Sequence, residues 1–339
     1  MKVLITGAAG FIGSNFVDYM IKNTDAIIYG LDCLSYAGDL NNLQYPIRNS
    51  NRFNFIHGNI DDNEILNSID FDHVVNFAAE THVTRSINDS RNFIINDMLA
   101  TDTLLRSSIN KKKLKKFIHI STSEVYGTCK NESKKIDETH PLNPLSPYAA
   151  AKAGADRLVY SYGKTYGLPI IILRPFNNYG PRQHLEKVIP RFITSIIKND
   201  KLTIHGKGNS KRDFIHVKDT CDAIFKVLFS KKKKIIGETY NIGSGHNFSV
   251  FQIASLLCKL EKYSTKKIKQ ITNRPGQVDK HWCDYRKFKK TFNWKPKIKF
   301  QKGIISTINW YKDNIKWWEK KIISQKVRVV MPNGKVFFH

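Results

Sequence analysis

The opening 32 residues constrain this chain more than any other stretch. Lys2-Val-Leu-Ile-Thr6 is a short apolar run of the kind that forms a buried parallel strand. It runs directly into Gly7-Ala-Ala-Gly10-Phe11-Ile12-Gly13, and a helical stretch from Ser14 to about Lys22 follows. Glycines in these places allow a tight turn, close approach of backbone to a diphosphate, and close packing of helix on strand. The phosphates then sit at the helix N-terminus. The next strand, Ala26 to Leu31, ends in Asp32. A carboxylate there accepts hydrogen bonds from the adenosine ribose hydroxyls and repels a 2′-phosphate. Strand, glycine turn, helix, strand and acid together predict a dinucleotide site that takes NAD in preference to NADP.

Further strand signals recur with helical stretches between them. Phe53–His57 leads to Gly58-Asn59-Ile60-Asp61, His73–Phe77 ends at Ala78-Ala79, Phe117–Ile120 precedes Ser121, and Pro169–Leu173 precedes Arg174-Pro175. Such alternation predicts an α/β fold with a doubly wound parallel sheet (Rossmann), its ligands lying beyond the carboxyl ends of the strands. After Pro175 the chain turns to short strands, turns and helices rich in Arg, Asn, His and Gly. The expected division is an NAD-binding domain at 1–175 and about 213–243, and a smaller, discontinuous α+β substrate domain at 176–212 and about 244–314. A C-terminal extension occupies 315–339.

At that carboxyl edge, Ser121-Thr122-Ser123-Glu124-Val-Tyr-Gly127 is followed by Tyr148-Ala-Ala-Ala-Lys152. A Tyr and a Lys four residues apart on a helix share a face. A nearby ammonium favours the tyrosinate, so the phenol is expected to titrate below its usual ~10 and act as a base. With a Ser or Thr hydroxyl beside it, that pair suits hydride transfer at an alcohol carbon. Glu124 is surplus to simple alcohol oxidation and points to proton chemistry after it.

Composition bounds the function classes. No apolar run reaches the ~18 residues needed to span a bilayer, and the chain begins in its first strand, leaving no room for a signal peptide. The five cysteines are scattered, without a Cys-x-x-Cys, which reads as reduced thiols in the cytoplasm. The net charge of +26 gathers in lysine runs at 111–116 and 231–234. Neither run carries interleaved aromatics or a nucleic-acid motif. The chain is also rich in Asn and Ile, whose codons, like those of Lys, are AT-rich, so coding bias accounts for the charge. No nucleic acid, membrane or metal partner is expected; His82, His184 and His205 lack ligand-like spacing. The field would attract an anionic substrate.

These segments, with Leu31–Gly38, Asn76–Ser86, Ser146–Lys152, Asn177–Pro181, Glu186–Pro190, His205–Gly208, Arg212-Asp213 and Arg274-Pro-Gly276, resemble the nucleoside-diphosphate-sugar 4,6-dehydratases of the extended short-chain dehydrogenase/reductase family. The likeness runs from residue 1 to about 314. It implies a cytoplasmic homodimeric lyase that takes a nucleotide-sugar such as dTDP- or UDP-glucose, or UDP-N-acetylglucosamine, to its 4-keto-6-deoxy product for deoxysugar and glycan biosynthesis. It implies catalytic Thr122, Ser123, Glu124, Tyr148 and Lys152. For the cofactor it implies Gly7, Gly10, Phe11, Ile12, Gly13, Asp32, Asn59, Ile60, Ala78, Ala79, Tyr148 and Lys152. For the substrate it implies Thr122, Asn178, Lys187, Val188, Arg212 and Arg274. A raised pKa would suit Glu124, which must accept and donate protons.

The chain departs from the dTDP-glucose enzymes where Ser123 stands for their presumed acid Asp, and where Asn59 and Thr84 replace two further Asp residues. Ser-Glu also occurs in UDP-glucuronate decarboxylases, so these are the first alternative, 4-epimerases the second, and a non-catalytic NAD-binding regulator the third. In the extension, alternating apolar residues around Pro332-Asn-Gly334 read as a β-hairpin that makes a subunit contact or covers the sheet, with a disordered tail as the alternative.

Overall fold

The computed structural model describes residues 1–129, 134–272, 276–322, 328–330 and 336–338. Seven strands form its main sheet: Lys2–Thr6 (β1), Ile27–Asp32 (β2), Phe53–His57 (β3), His73–Asn76 (β4), Lys116–Ile120 (β5), Ile170–Pro175 (β6) and Thr239–Ile242 (β7). All pairings are parallel, in the order β7-β6-β5-β4-β1-β2-β3. The apolar strands alternate between two helical layers, as the two-residue period of a strand requires. Val3 and Ile5 enter one core with Phe16, Val17 and Met20 of helix α1 (Phe11–Asn23). Leu4 enters the other with Leu104, Leu105 and Val159. Burial on both faces explains why these strands read as continuous hydrophobic runs.

Helix α2 (Pro147–Tyr166) carries the Tyr-x-x-x-Lys pair. Ser146 caps it by accepting from the Ala149 amide, Pro147 opens its first turn, and Gly167 closes it at φ +67°, a left-handed position that suits glycine. The chain crosses to a second core at Asn177–Tyr179, a short strand that pairs with Lys211–His216, itself paired with Asn247–Ser249. That core gathers Phe192, Ile193, Leu257, Ile308, Tyr311 and Trp318. The segment from 213 begins inside this small sheet; the chain rejoins the main sheet through helix α3 (Val217–Leu228), which packs on α1, and through β7.

In the extension, the Trp318 indole donates to Tyr311 O at 2.7 Å and the Trp317 indole to Asn42 Oδ1 at 3.0 Å. Strands Arg328–Val330 and Val336–Phe338 pair antiparallel, and the first lies against the helix Val83–Asn88. Pro332, Asn333 and Gly334 of the expected turn lie outside the described residues. Among the described residues no helix is long and apolar enough to cross a membrane. Part of the first lysine run has a structural use. Lys116 Nζ donates to Val227 O, Leu228 O and Ser230 O at 2.9, 2.6 and 2.6 Å, capping the last turn of α3. Burial pulls its pKa down to about 8.

One buried ion pair locks α2 to the sheet. Arg174 of β6 reaches both oxygens of Asp156 at 2.8 Å and the Tyr126 hydroxyl at 2.9 Å. Burial opposes the charge on Asp156, yet the guanidinium holds its pKa down to about 2, against an ordinary 3.8. A depressed carboxyl stabilises the fold above its unfolded pKa and stops doing so as pH falls through the folded value. Asp156→Asn leaves the Arg174 charge buried without its counter-ion, so denaturant unfolding near neutral pH is expected to show a loss of about 3 kcal/mol or more. The wild type should also lose more stability than the variant between about pH 5 and pH 2.

Candidate active site

A cavity of about 410 Å³ opens where β1, β2, β4, β5 and β6 end. At its floor Gly7 adopts φ +63°, and an added Cβ would lie 2.8 Å from the Ala78 amide nitrogen. A Cβ on Gly13 would lie 2.1 Å from Gly7 O, so both positions exclude any side chain. Helix α1 has no side-chain cap at Gly10, which leaves its first amides to face the cavity. Asp32 accepts from the amides of Ala9 at 2.9 Å and Leu34 at 2.8 Å; burial raises its pKa while these amides oppose the rise. Gly7, Gly10, Phe11, Ile12, Gly13, Asp32, Asn59, Ile60, Ala78, Ala79, Tyr148 and Lys152 all line the cavity. So does Ser121, whose buried hydroxyl has no partner among the described residues. A side-chain-free cradle under a helix N-terminus, an acid at the end of β2 and an unmatched hydroxyl at the far side fit an extended dinucleotide.

Thr122, Glu124 and Tyr148 line the same cavity and lie close enough to influence one another. Thr122 caps the short 3₁₀ turn Ser123–Tyr126 and hydrogen-bonds the Tyr148 phenol. Glu124 Oε1 lies 3.9 Å from Arg212 Nε and 3.8 Å from His281 Nδ1. Arg212 is 6% exposed; burial lowers its pKa and Glu124 opposes that shift.

The expectation that Lys152 would draw the Tyr148 phenol below its usual pKa is not met. Burial pushes Tyr148 well above it, Asp97 and Glu124 add to the rise, and only the Thr122 hydrogen bond opposes them. Lys152 Nζ donates instead to Ile120 O at 3.0 Å. Burial lowers the Lys152 pKa, and the charges of Asp97 and Asp156 work against this. Sequence spacing places Tyr and Lys on one face but does not reveal how deeply that face is buried.

Ser123 is a second departure. It is 2% exposed, does not line the cavity, and its Oγ lies 3.3 Å from His281 Nδ1. Of the residues expected at the substrate, Asn178, Lys187, Val188 and Arg212 line the cavity. Arg274 lies outside the described residues. Lys187 Nζ donates to Thr81 O at 2.5 Å, and the Asn178 side chain accepts from the Thr220 hydroxyl at 2.6 Å.

Three residues with no role assigned from the sequence stand out. Asp97, in a π-helical turn at Ile94–Leu99, is fully buried, accepts from the Glu80 amide at 2.6 Å, and is pushed up to about 7 by burial, with Lys152 opposing. Glu186 is the hub of a polar cluster. It accepts from Tyr36 at 3.1 Å and Arg85 at 3.3 Å, with the imidazoles of His82 and His184 3.7 and 3.6 Å away. His281 adjoins Ser123 and Glu124 from 158 residues along the chain. Glu186 lay inside a quoted motif, and Asp97 interrupts an apolar stretch; His281 carried no local signal.

The family described as GDP-mannose 4,6 dehydratase matches residues 4–307 of the chain. A solved dTDP-glucose 4,6-dehydratase of Streptomyces venezuelae, with NAD and TYD bound, is 35% identical with a TM-score of 0.90, covering 95% of this chain and all of that one. The chain belongs to the nucleotide-sugar 4,6-dehydratases of the extended short-chain dehydrogenase/reductase family. The low-salt glycan biosynthesis protein Agl12 of Haloferax volcanii is 40% identical to this dehydratase over 313 residues, which is 92% of this chain and 98% of Agl12. A UDP-glucuronic acid 4-epimerase of Bacillus cereus is 33% identical with a TM-score of 0.86, covering 92% and 99%, so the scaffold is shared across reactions.

The Asp32 carboxylate sets the expected cofactor preference. NAD should bind far more tightly than NADP in a calorimetric titration. Asp32→Ser should weaken NAD by roughly 10–100-fold, the scale of hydrogen bonds to a charged group, and narrow the gap to NADP. Equal affinities of the wild type for both would refute the assignment.

Proposed function

We propose that this dehydratase converts a nucleoside-diphosphate hexose to its 4-keto-6-deoxy form, with Tyr148 and Glu124 handling separate protons. The observation that carries the reading is Glu124 on the cavity wall beside Thr122 and Tyr148. A carboxylate there is what dehydration needs and alcohol oxidation does not. NAD, when bound, supplies the acceptor and donor for the hydrogen that leaves carbon 4 and returns to carbon 6.

Tyr148 takes the proton of the sugar O4 hydroxyl, with Thr122 hydrogen-bonded to the same oxygen. Its raised pKa makes the bare phenol a reluctant base, and the cationic groups that share its pocket must supply the bias. Lys152, one turn along the same helix, is a cation of this chain that lines the pocket, and Asp97 and Asp156 support its charge against the pull of burial. Once carbon 4 is a ketone, the carbon 5 proton is acidic, and Glu124 removes it as water departs from carbon 6. Helix Val188–Ile197 starts at the cavity beside Lys187 without a side-chain cap, and Arg212 lies on the cavity wall within 3.9 Å of Glu124. A guanidinium and uncapped amides suit the diphosphate.

The working form is a homodimer in the cytoplasm. In support, Ile94, Ile95 and Leu99 are exposed on the helical stretch that packs against α2, and Tyr160 and Tyr166 are exposed on α2 itself. A second copy would cover such a two-helix face. The five cysteines are free thiols, in keeping with a reducing compartment.

Two variants test the division of labour on a panel of nucleotide hexoses read by mass spectrometry. Tyr148→Phe should give neither reduced cofactor nor product. Glu124→Gln should accumulate bound reduced cofactor and a 4-keto sugar that retains its carbon 6 oxygen, with dehydration down ~10²–10⁴-fold. Dehydration by Glu124→Gln at the wild-type rate would remove Glu124 as the base. Xylose nucleotide and carbon dioxide from UDP-glucuronate would favour the decarboxylase reading.

A further inference from the structure

Loss of water across carbons 5 and 6 needs a proton removed from carbon and a proton delivered to oxygen. The residue next to Glu124 is a serine that faces away from the cavity, so it reaches neither atom. What it does reach is His281, which is fully buried behind Glu124. The backbone of His281 is fixed by donation to Lys211 O at 2.9 Å, and Cys283 N donates to Asp213 at 3.2 Å. The ring stands edge-on to Phe176, with centroids 5.9 Å apart.

The hydrogen bonds assign the tautomer. Nε2 lies 2.9 Å from Gly127 O, and a carbonyl only accepts, so Nε2 carries the hydrogen. Burial lowers the pKa of this imidazole to about 4, so the ring is neutral at physiological pH and Nδ1 is a bare acceptor. The Ser123 hydroxyl donates to Nδ1 at 3.3 Å, and Glu124 Oε1 faces the same nitrogen at 3.8 Å. At that separation no hydrogen bond joins them; the ionised carboxylate faces an electron-rich nitrogen, an electrostatic arrangement that favours the uncharged carboxylic acid. The other charged or titratable groups near this pair are Arg212, Tyr148 and His140. Arg212 favours the carboxylate, so the proton affinity of Glu124 is set by two neighbours pulling in opposite directions.

We propose that His281 is a positioning residue for Glu124, its Nδ1 favouring the protonated carboxyl so that one side chain serves as both base and acid in the elimination. This rests on the dehydratase reading given above. The step balances as follows. The carbon 5–hydrogen bond breaks and its proton goes to Glu124. The electron pair forms the carbon 5–carbon 6 double bond as the carbon 6–oxygen bond breaks. The departing oxygen takes the proton back from Glu124 and leaves as water, and Glu124 ends ionised as it began. Ser123 holds the imidazole in place rather than protonating the leaving group.

His281→Phe removes the Nδ1 acceptor and His281→Asn keeps an acceptor near that place. Three quantities are read: NAD affinity, the first-turnover rate of cofactor reduction, and solvent-deuterium entry at carbon 5 as a function of pH. His281→Phe should slow deuterium entry about tenfold relative to cofactor reduction, the scale of a one-unit change in the base's pKa. Its acid limb should move down by roughly one pH unit, because Glu124 becomes a weaker base. His281→Asn should recover most of both effects. Ser123→Ala, which frees Nδ1 from a competing donor, should move the acid limb the other way. Equal slowing of both steps by His281→Phe would mean a structural role only and overturn the proposal, as would an unmoved acid limb. If His281→Phe does not fold, the opposite shift in Ser123→Ala decides alone, and its absence overturns the proposal. A wild type that exchanges no carbon 5 hydrogen refutes the dehydratase reading instead.

Discussion

The buried pair between Arg174 and Asp156 is the contact on which the site depends. Tyr148, Lys152 and Asp156 lie at four-residue steps along α2 and so share one face of that helix. Fixing Asp156 to β6 fixes the rotation of the helix, and with it where the phenol meets the cavity. The same guanidinium holds the Tyr126 hydroxyl, which donates to Asn241 of β7 at 2.8 Å. Tyr126 ends the short turn that carries Glu124. One buried cation thus sets helix, turn and edge strand in a common register. Burying it is costly, and two carboxylate oxygens and a phenol offset that cost.

Much of this was legible in the sequence because the information is local. The Gly7–Gly13 turn, the acid at Asp32 and the alternation of Val3, Leu4 and Ile5 between two layers follow from spacing and from the geometry of a strand. Glu124 was recognisable as one carboxylate too many for a simple oxidation. What failed to show depends on burial or on partners far along the chain. The pKa of Tyr148 rises because desolvation outweighs the Thr122 hydrogen bond, while the Lys152 ammonium is directed at a carbonyl. Ser123 looked like a catalytic donor by its place in the triplet, and only the fold brings His281 behind it. Lysines read as coding bias turned out, at Lys116, to close a helix. That the strand at Lys211–His216 belongs to the small sheet was not legible, because its neighbours, residues 177–179 and 247–249, are distant in sequence.

The site joins opposite electrostatic demands within a short span. Behind Lys152, buried carboxyls at Asp97 and Glu80 are pushed upward by desolvation, and the charges of Asp97 and Asp156 both act on Lys152. Lys187 and Arg212 add basic groups to the cavity lining, Arg212 within 3.9 Å of Glu124. A polar hub at Glu186 binds Tyr36 and Arg85, linking the loop after β2 to the helix that follows Ala79.

The central claim is that one hydrogen makes a closed circuit within a single active site. The direct measurement is the fate of deuterium placed on carbon 4 of a nucleotide hexose that the enzyme turns over, read by mass spectrometry and NMR of the product. The account predicts that the deuterium appears on carbon 6 of a 4-keto-6-deoxy sugar, without net reduction of NAD. Deuterium retained on carbon 4, or lost to solvent with no 6-deoxy product formed, would contradict it.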